Sequence, residues 1–485
     1  MTTADLDLNT TRRRRPATRA GVAPAREGLA LVVVTVLAII MPFGFFVGDT
    51  YLTPSRLLFL FTVPYLGMRL MAGAYGPRLL TDYMVFGYAV WMMIALALNH
   101  QAQALTLSVS NALVMLGGYL AGRVGIRSLA QMQGFARFYA WVVLLMLPIA
   151  LADSLSGQIV VAEMLRNLDL GWLDPVRSVE YPPRFGGLNR AQVFFVHPIH
   201  FGLFAAFPVG LYYVGLRSLH SAFHRTVMSV LIIGTCFCSL SSGPFLAAVF
   251  QALLIGYMLV TEHMKNQWKL ILWSFAALYA VLEVLSTRSA IFAIAERLAF
   301  SSGNAYFRRE LFNVGIDQVQ RTPIFGIGLR RPVSMPGWMT STFDNYWLAV
   351  AVANGLPAFI FCAVAFLYPM IRAGRGEFRK GSDLYNMRVG WTITMIGMIL
   401  ALATVTVWNQ LFSTVFLVLG AGQFLLIQKE PDPVAQERDA ADRQAPGQIR
   451  YSRFSGPPAR PARSQPPVRA RPAAGARKTT RDRPR

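Results

Sequence analysis

The apolar residues of this chain gather into runs of about 17–25 positions, the length needed to cross a bilayer as a helix. Twelve such runs are found, near residues 28–47, 57–72, 83–98, 104–121, 138–155, 193–214, 226–241, 244–260, 270–287, 346–371, 389–405 and 409–427. Only Ser242 and Gly243 separate the seventh and eighth, which predicts a tight helical hairpin. Within the tenth, Asn354 and Pro357 flank Gly355 and predict a broken helix, which is tolerated at membrane depth only where protein buries the backbone or a cavity receives it. The expected fold is an all-α polytopic membrane protein of about twelve transmembrane helices. Two connections, 156–192 and 288–345, are too long to be simple links, and each contains an amphipathic stretch.

The basic residues orient this pattern. Six Arg (12, 13, 14, 15, 19 and 26) precede the first run and hold the amino terminus in the cytoplasm. That run is long and has no small-residue cleavage site, so it reads as a span and not as a secretory signal. Alternating from there, the short inside loops carry 13 Lys or Arg, whereas the short outside connections carry one, Arg56. Both termini then lie in the cytoplasm. Residues 1–27 form a basic disordered terminus and 28–427 the membrane domain. Residues 428–485 form a basic, Pro-rich disordered tail that cannot bury enough surface to fold.

Composition agrees: 54% of the 485 residues are hydrophobic and only 14% charged, with a net charge of +22 and a mean hydropathy of +0.43. These values exclude an ordinary soluble enzyme. The tail charge suits contact with anionic lipid. It also leaves cytosolic proteins as candidate partners, but nucleic acid is disfavoured because no base-reading module accompanies it. Cys236, Cys238 and Cys362 lie in apolar runs and read as small buried hydrophobes. His220 and His224 have an i, i+4 spacing but no Cys or acid nearby, so no metal site is assigned.

The two long outer loops differ in charge. In the first, Arg166, Arg177, Arg184 and Arg190 balance Glu163, Asp169, Asp174 and Glu180. The second carries seven Arg (288, 297, 308, 309, 321, 330 and 331) against Glu296, Glu310, Asp317 and Asp344. Its amphipathic helix is expected to bury Phe307, Leu311, Val314 and Ile316 to Val319. A positive outer loop opposes the bias seen elsewhere. All of its basic residues are Arg, whose planar fork grips phosphate oxygens in pairs. The loop therefore points to an anionic substrate at the membrane surface.

Four stretches resemble the O-antigen ligase and polymerase superfamily, in its exopolysaccharide polymerase-like branch. They are "RAQVFFVHPIHFG", "SLSSGPFLA", "AYFRRELFNVGIDQVQRTPIFGIGLRRP" and "TFDNYWLAVAVANGLPAF", spread over residues 184–360. The resemblance implies a membrane glycosyltransferase that moves glycan from an undecaprenyl-diphosphate donor, without cofactor or metal. The residues are compatible with this: "FGIGLRR" follows a helix and lacks the third glycine of a nucleotide-binding loop. The resemblance also implies a place in the bacterial inner membrane, with membrane lipid and an undecaprenyl-diphosphate-linked oligosaccharide as expected partners and polysaccharide-export or chain-length proteins as further candidates.

Negative charge developing on a diphosphate leaving group needs stabilising. Arg190, Arg308 and Arg309 are the first candidates, with Arg184 and Arg331 behind them. A base must accept the acceptor's proton. Ligase-type relatives place a His before the Asn of the fourth stretch, where this chain has Asp344 beside Asn345. Asp344 is thus the candidate base, with capping of the helix at Tyr346 as its alternative role. His197, Ser242, Gly243 and Asn345 complete the candidate substrate-binding set. Asp344 favours a polymerase acting on a lipid-linked repeat unit over a ligase acting on lipid A core. A flippase for lipid-linked oligosaccharide is disfavoured because few charges lie deep in the spans (Arg69 and Glu283 near their ends) and no internal repeat is seen.

Overall fold

A computed structural model describes residues 25–430 except 49, 101–102, 169–170, 172–173, 176–180, 265–268, 271–272, 274–301, 338–341 and 377. The ninth predicted span, Glu283 and nearly all of the two terminal segments lie outside the described residues. Those described are overwhelmingly helical. The helices are α1 (Ala25–Ile40), α2 (Pro54–Met71), α3 (Leu80–Asn99), α4 (Gln103–Gly125), α5 (Leu129–Ser156), α6 (Val160–Asn167), α7 (Pro198–Ala206) and α8 (Pro208–Tyr213). There follow α9 (Ala222–Phe237), α10 (Ser242–Val260), α11 (Ser302–Arg321), α12 (Tyr346–Gly374), α13 (Asp383–Leu402) and α14 (Asn409–Ala421). A 3-10 turn, Gly422–Leu426, prolongs α14.

Five of these segments are long and apolar enough to cross a membrane: α3, α5, α10, α12 and α14 with its 3-10 turn. α1 and α9 are apolar but shorter. Large hydrophobic side chains such as Phe61, Met68, Leu145 and Leu253 lie exposed on the flanks of the bundle. So much apolar surface on the outside marks a membrane-facing exterior. This is an all-α membrane protein.

Two expectations change at helix ends. The first apolar run does not stay helical to residue 47. The helix stops before Pro42, whose ring disfavours helical backbone at the residue ahead of it, and the aromatic stretch beyond pairs as strand β1 (Phe43–Val47) with β2 (Thr50–Leu52). A third strand, β3 (Asp174–Pro175), joins the other edge of β1. The sixth run is split at Phe207 into α7 and α8, because Pro208 cannot donate to the helix before it.

Side-chain and backbone contacts sort the helix ends into two sets. One end gathers the start of α2, the end of α3, the end of α5 and the starts of α7, α10, α12 and α14. At the other, Arg225 binds the carbonyls of Tyr213 and His220, and Arg388 those of Ala373 and Gly376, placing largely buried cations at the C-terminal ends of α8 and α12. A buried ion pair also lies there, which the sequence reading of few internal charges missed. Asp82 at the start of α3 meets Arg123 at the end of α4 at 3.1 Å, and both side chains are closed to solvent. Tyr119 Oη donates to the same carboxylate at 2.6 Å, as does the Leu79 amide at 2.8 Å, while Arg123 also donates to the Pro77 carbonyl. Each charge stood at the edge of an apolar run, where it reads as solvated. The fold instead turns both inward. Asp82→Ala should destabilise the protein by about 3–5 kcal/mol by leaving Arg123 buried and unpaired. Replacing both partners with apolar residues should recover much of that loss, read as melting temperature in detergent.

Candidate functional site

Asp153, in the last turn of α5, begins the construction. Its carboxylate is 2% exposed. It accepts from the Val160 amide at 3.0 Å, the Gln192 amide at 3.2 Å and the Val193 amide at 2.8 Å. Val193 is held at φ +55°, a left-handed conformation that a β-branched residue adopts only under constraint. The Asn189 amide binds the Ser154 carbonyl and the Ala191 amide that of Cys238. These bonds strap residues 189–193 across the hairpin between α9 and α10.

The strap lays two Arg over that hairpin. Arg190 donates from Nη2 to Ser241 Oγ at 2.8 Å and from Nε to the Ser239 carbonyl at 3.4 Å, with its guanidinium 5.0 Å from the Tyr181 ring centre. Arg184, in a short bridge with Leu188, donates to the Leu240 carbonyl at 2.8 Å. Partial burial lowers both guanidinium pKa values, and the proximity of Arg184 adds to the effect at Arg190, which falls to about 10. Both stay charged at neutral pH, and among the described residues their hydrogen bonds go to neutral oxygens. Ser242, half-buried, opens α10 two residues before the predicted start of that span, so Ser242 and Gly243 belong to the helix and not to the link. Gly243 faces Thr404 and Val405 so closely that a β-carbon would stand 3.0–3.1 Å from their side chains.

His197 is the N-cap of α7, and its Nδ1 accepts from the Ile199 amide at 3.0 Å, which leaves Nε2 as the protonated nitrogen of the neutral ring. Its ring meets those of Tyr181 at 4.9 Å and Trp408 at 5.9 Å. His200, one turn on, is fully buried with its ring 4.0 Å from Trp408.

The second Arg-bearing segment is α11 with its return to α12. Phe307, Leu311, Val314, Phe343, Leu348 and Val352 pack as a small core of their own. The predicted apolar face is corrected at one place. Ile316 points outward, and Gln318 takes the inner position, where its Oε1 accepts from the Val333 amide. That choice follows the helical spacing 307, 311, 314, 318. After α11, residues 323–328 run alongside the interrupted middle of α12. The Ile327 amide binds the Val352 carbonyl, the Gly328 amide that of Ala353, and the Leu356 amide that of Pro323. The predicted break is real: Gly355 has φ +84°, and a β-carbon there would lie 1.9 Å from the Ile324 carbonyl oxygen. Only glycine fits.

At the mouth of this unit Arg308 Nε stands 3.8 Å from Asp344 Oδ2, and that Nε is buried without a hydrogen bond. Arg309, next along the helix, is exposed. Arg331 turns onto the Pro336 carbonyl of its own loop, and Arg330 onto that of Asn99. The cap of α12 is Asn345, whose Oδ1 accepts from the Leu348 amide at 3.1 Å. Capping therefore does not fall to Asp344, which is one residue too early to reach that amide. Asp344 is left free for its ion pair. About half of its side-chain surface is open, yet the surrounding protein withdraws enough water to raise its pKa, against the opposing pull of Arg308.

One short loop, 403–408, touches both segments. Thr404 and Val405 face Gly243, Thr406 Oγ1 donates to the Phe343 carbonyl, and Trp408 packs on His197 and His200. Of the residues singled out from sequence, Arg184, Arg190, His197, Ser242 and Gly243 are gathered on one side of this loop. Arg308, Asp344 and Asn345 stand on the other. Sequence reasoning missed Asp153, Tyr181, Ser239, Ser241 and Trp408. Only Asp153 carried a usable signal, as a lone acid ending an apolar run.

Residues 227–363 match the family model described as O-antigen ligase. No curated protein matches the chain significantly. The match covers the hairpin, α11 and the start of α12, and bears out the resemblance read from the sequence at the level of that superfamily.

Asp153→Asn turns an amide NH2 toward backbone donors. It should destabilise by about 1–3 kcal/mol and expose residues 181–197 to limited proteolysis, whereas the equally conservative surface change Asp317→Asn should not.

Proposed function

We propose that this chain, a member of the O-antigen ligase superfamily, is a polysaccharide polymerase of the bacterial inner membrane. In this reading twelve spans cross the bilayer, both termini are cytoplasmic, and the end of the bundle bearing Arg190 and Arg308 faces the periplasm. The donor is a glycan on undecaprenyl diphosphate and the acceptor a hydroxyl of a lipid-linked repeat unit. The observation that carries the reading is the pair Arg308–Asp344, a cation with an unused buried donor beside a half-open carboxylate of raised pKa.

In the proposed reaction the acceptor oxygen attacks the anomeric carbon and the bond from that carbon to the diphosphate oxygen breaks. Asp344 takes the hydroxyl proton, a role favoured by a pKa closer to working pH than that of an ordinary carboxylate. Undecaprenyl diphosphate leaves with the bonding electron pair. Its growing charge meets fixed guanidinium groups, of which Arg308, Arg309 and Arg190 are the first, with Arg184 and Arg331 supporting. Such preorganised charge is worth more than charge gathered from water during the reaction. In this reading no metal ion is required. A carboxylate where ligase-type relatives place a His supports a repeat unit as acceptor in preference to lipid A core.

Purified protein given lipid-linked repeat unit should yield glycan chains longer than one unit. Arg308→Ala should slow extension about 10²- to 10³-fold and Asp344→Asn about 10²- to 10⁴-fold, with both proteins still folded. The wild-type rate should rise with pH as Asp344 loses its proton and then level off, and Asp344→Asn should lose that rising limb. Transfer to lipid A core without extension would establish the ligase instead, and movement across the bilayer without either would establish a flippase.

A further inference from the structure

A cavity of about 50 Å³ opens beside the Arg190 cluster, between the β1–β2 hairpin and the starts of α2 and α14. A single water needs about 10–15 Å³ on this scale, so the cavity takes several water-sized groups. Polar residues dominate its lining (Tyr51, Thr53, Ser55, Arg56, Asn409 and Gln410, with Val114 and Val196), although the surface they turn to it is mostly apolar, a mixture that suits the C–H faces and hydroxyl edges of a sugar. Arg56 was the one basic residue of the short outer connections, and the reaction above does not use it.

The chemistry of this wall identifies its occupant. Gln410 is 5% exposed, and its Nε2 is committed to the Phe194 carbonyl at 3.0 Å. Its Oε1 is buried with no partner, and an acceptor so placed calls for a hydrogen-bond donor. Arg56 donates to the Tyr51 carbonyl at 2.6 Å and to Asn409 Oδ1 at 3.2 Å, leaving further N–H groups that call for acceptors. Thr53 and Ser55 hydroxyls, 3.0 Å apart, can play either part. A carboxylate or a phosphodiester has no donor for Gln410, and a free phosphate has at most one or two. A ring of hydroxyls supplies both donors and acceptors. The cavity also adjoins the candidate site, for Val196 in its wall precedes His197, and Trp408, partly exposed against His197, precedes Asn409.

We propose that this cavity is a sugar subsite, receiving the hydroxyl edge of an uncharged sugar residue in the glycan acceptor. The assignment of that sugar to the acceptor rests on the polymerase reading, whereas the binding of sugar does not. Asn409 sits at φ +49°, so Asn409→Gly removes the amide while keeping a backbone that glycine favours. Val196→Phe obstructs the cavity from its rim and tests the same idea without touching a polar group.

The experiment uses the full chain in lipid nanodiscs. The probe is the delipidated oligosaccharide repeat unit released from the producing organism's own polysaccharide, with inorganic phosphate in parallel, and binding is followed by saturation-transfer NMR and calorimetry. The oligosaccharide should bind the wild type, and each variant should weaken it roughly tenfold or more. In extension assays the acceptor KM should rise by a similar factor while kcat changes far less, the mark of lost uniform binding. Unchanged affinity in both variants, displacement by phosphate, or no binding to the wild type would overturn the proposal. Sugar binding that both variants abolish, in a wild-type protein that extends no glycan, would uphold the subsite and remove the polymerase reading.

Discussion

A backbone amide or carbonyl placed in lipid has no water to bind, so irregular chain at membrane depth survives only where protein satisfies it. This constraint shapes every part of the candidate site. Residues 192 and 193 leave helical geometry because the Asp153 carboxylate takes their amides. The carbonyls of Ser239 and Leu240 turn away from α9 because Arg190 and Arg184 cover them. α12 can break at Gly355 because residues 323–328 return to bind the freed groups on either side. Each interruption in one helix is answered by a segment from elsewhere in the chain.

The same arrangement fixes positive charge at that end of the bundle. Among the described residues, Arg184 and Arg190 rest on neutral carbonyl and hydroxyl oxygens, which hold them in place. Arg308 faces a carboxylate at a distance too long for a hydrogen bond. At the opposite end Asp82 and Arg123 meet in full contact, shut away from solvent, with tyrosine and backbone donors completing the set. The two ends thus hold their ion pairs differently, one in full contact and the other at arm's length.

Much of this was legible in the order of residues. Long apolar runs specify membrane helices because length and composition alone decide whether a segment can leave water. The break at Gly355, the helix of residues 302–321 and the burial of the three cysteines follow from local rules of the same kind. The Arg content of the outer loops also needs no fold to be noticed. What local rules misjudged were residues whose role depends on a distant partner. Asp82 and Arg123 looked like solvated span ends and Ile316 like a core residue, and capping, the alternative role weighed for Asp344, is performed by Asn345.

The sequence by itself determined the membrane class, the likeness to one superfamily over part of the chain and the Arg-rich character of the outer loops, because these depend on composition and short motifs. Tertiary structure alone decided which of those residues meet. Asp153 reaches residues about 40 positions away, Arg190 binds a hairpin some 50 positions on, and Arg56 binds Asn409 across 353 positions. No short-range pattern encodes such pairings. They arise when helices pack and their loose backbone ends must find partners.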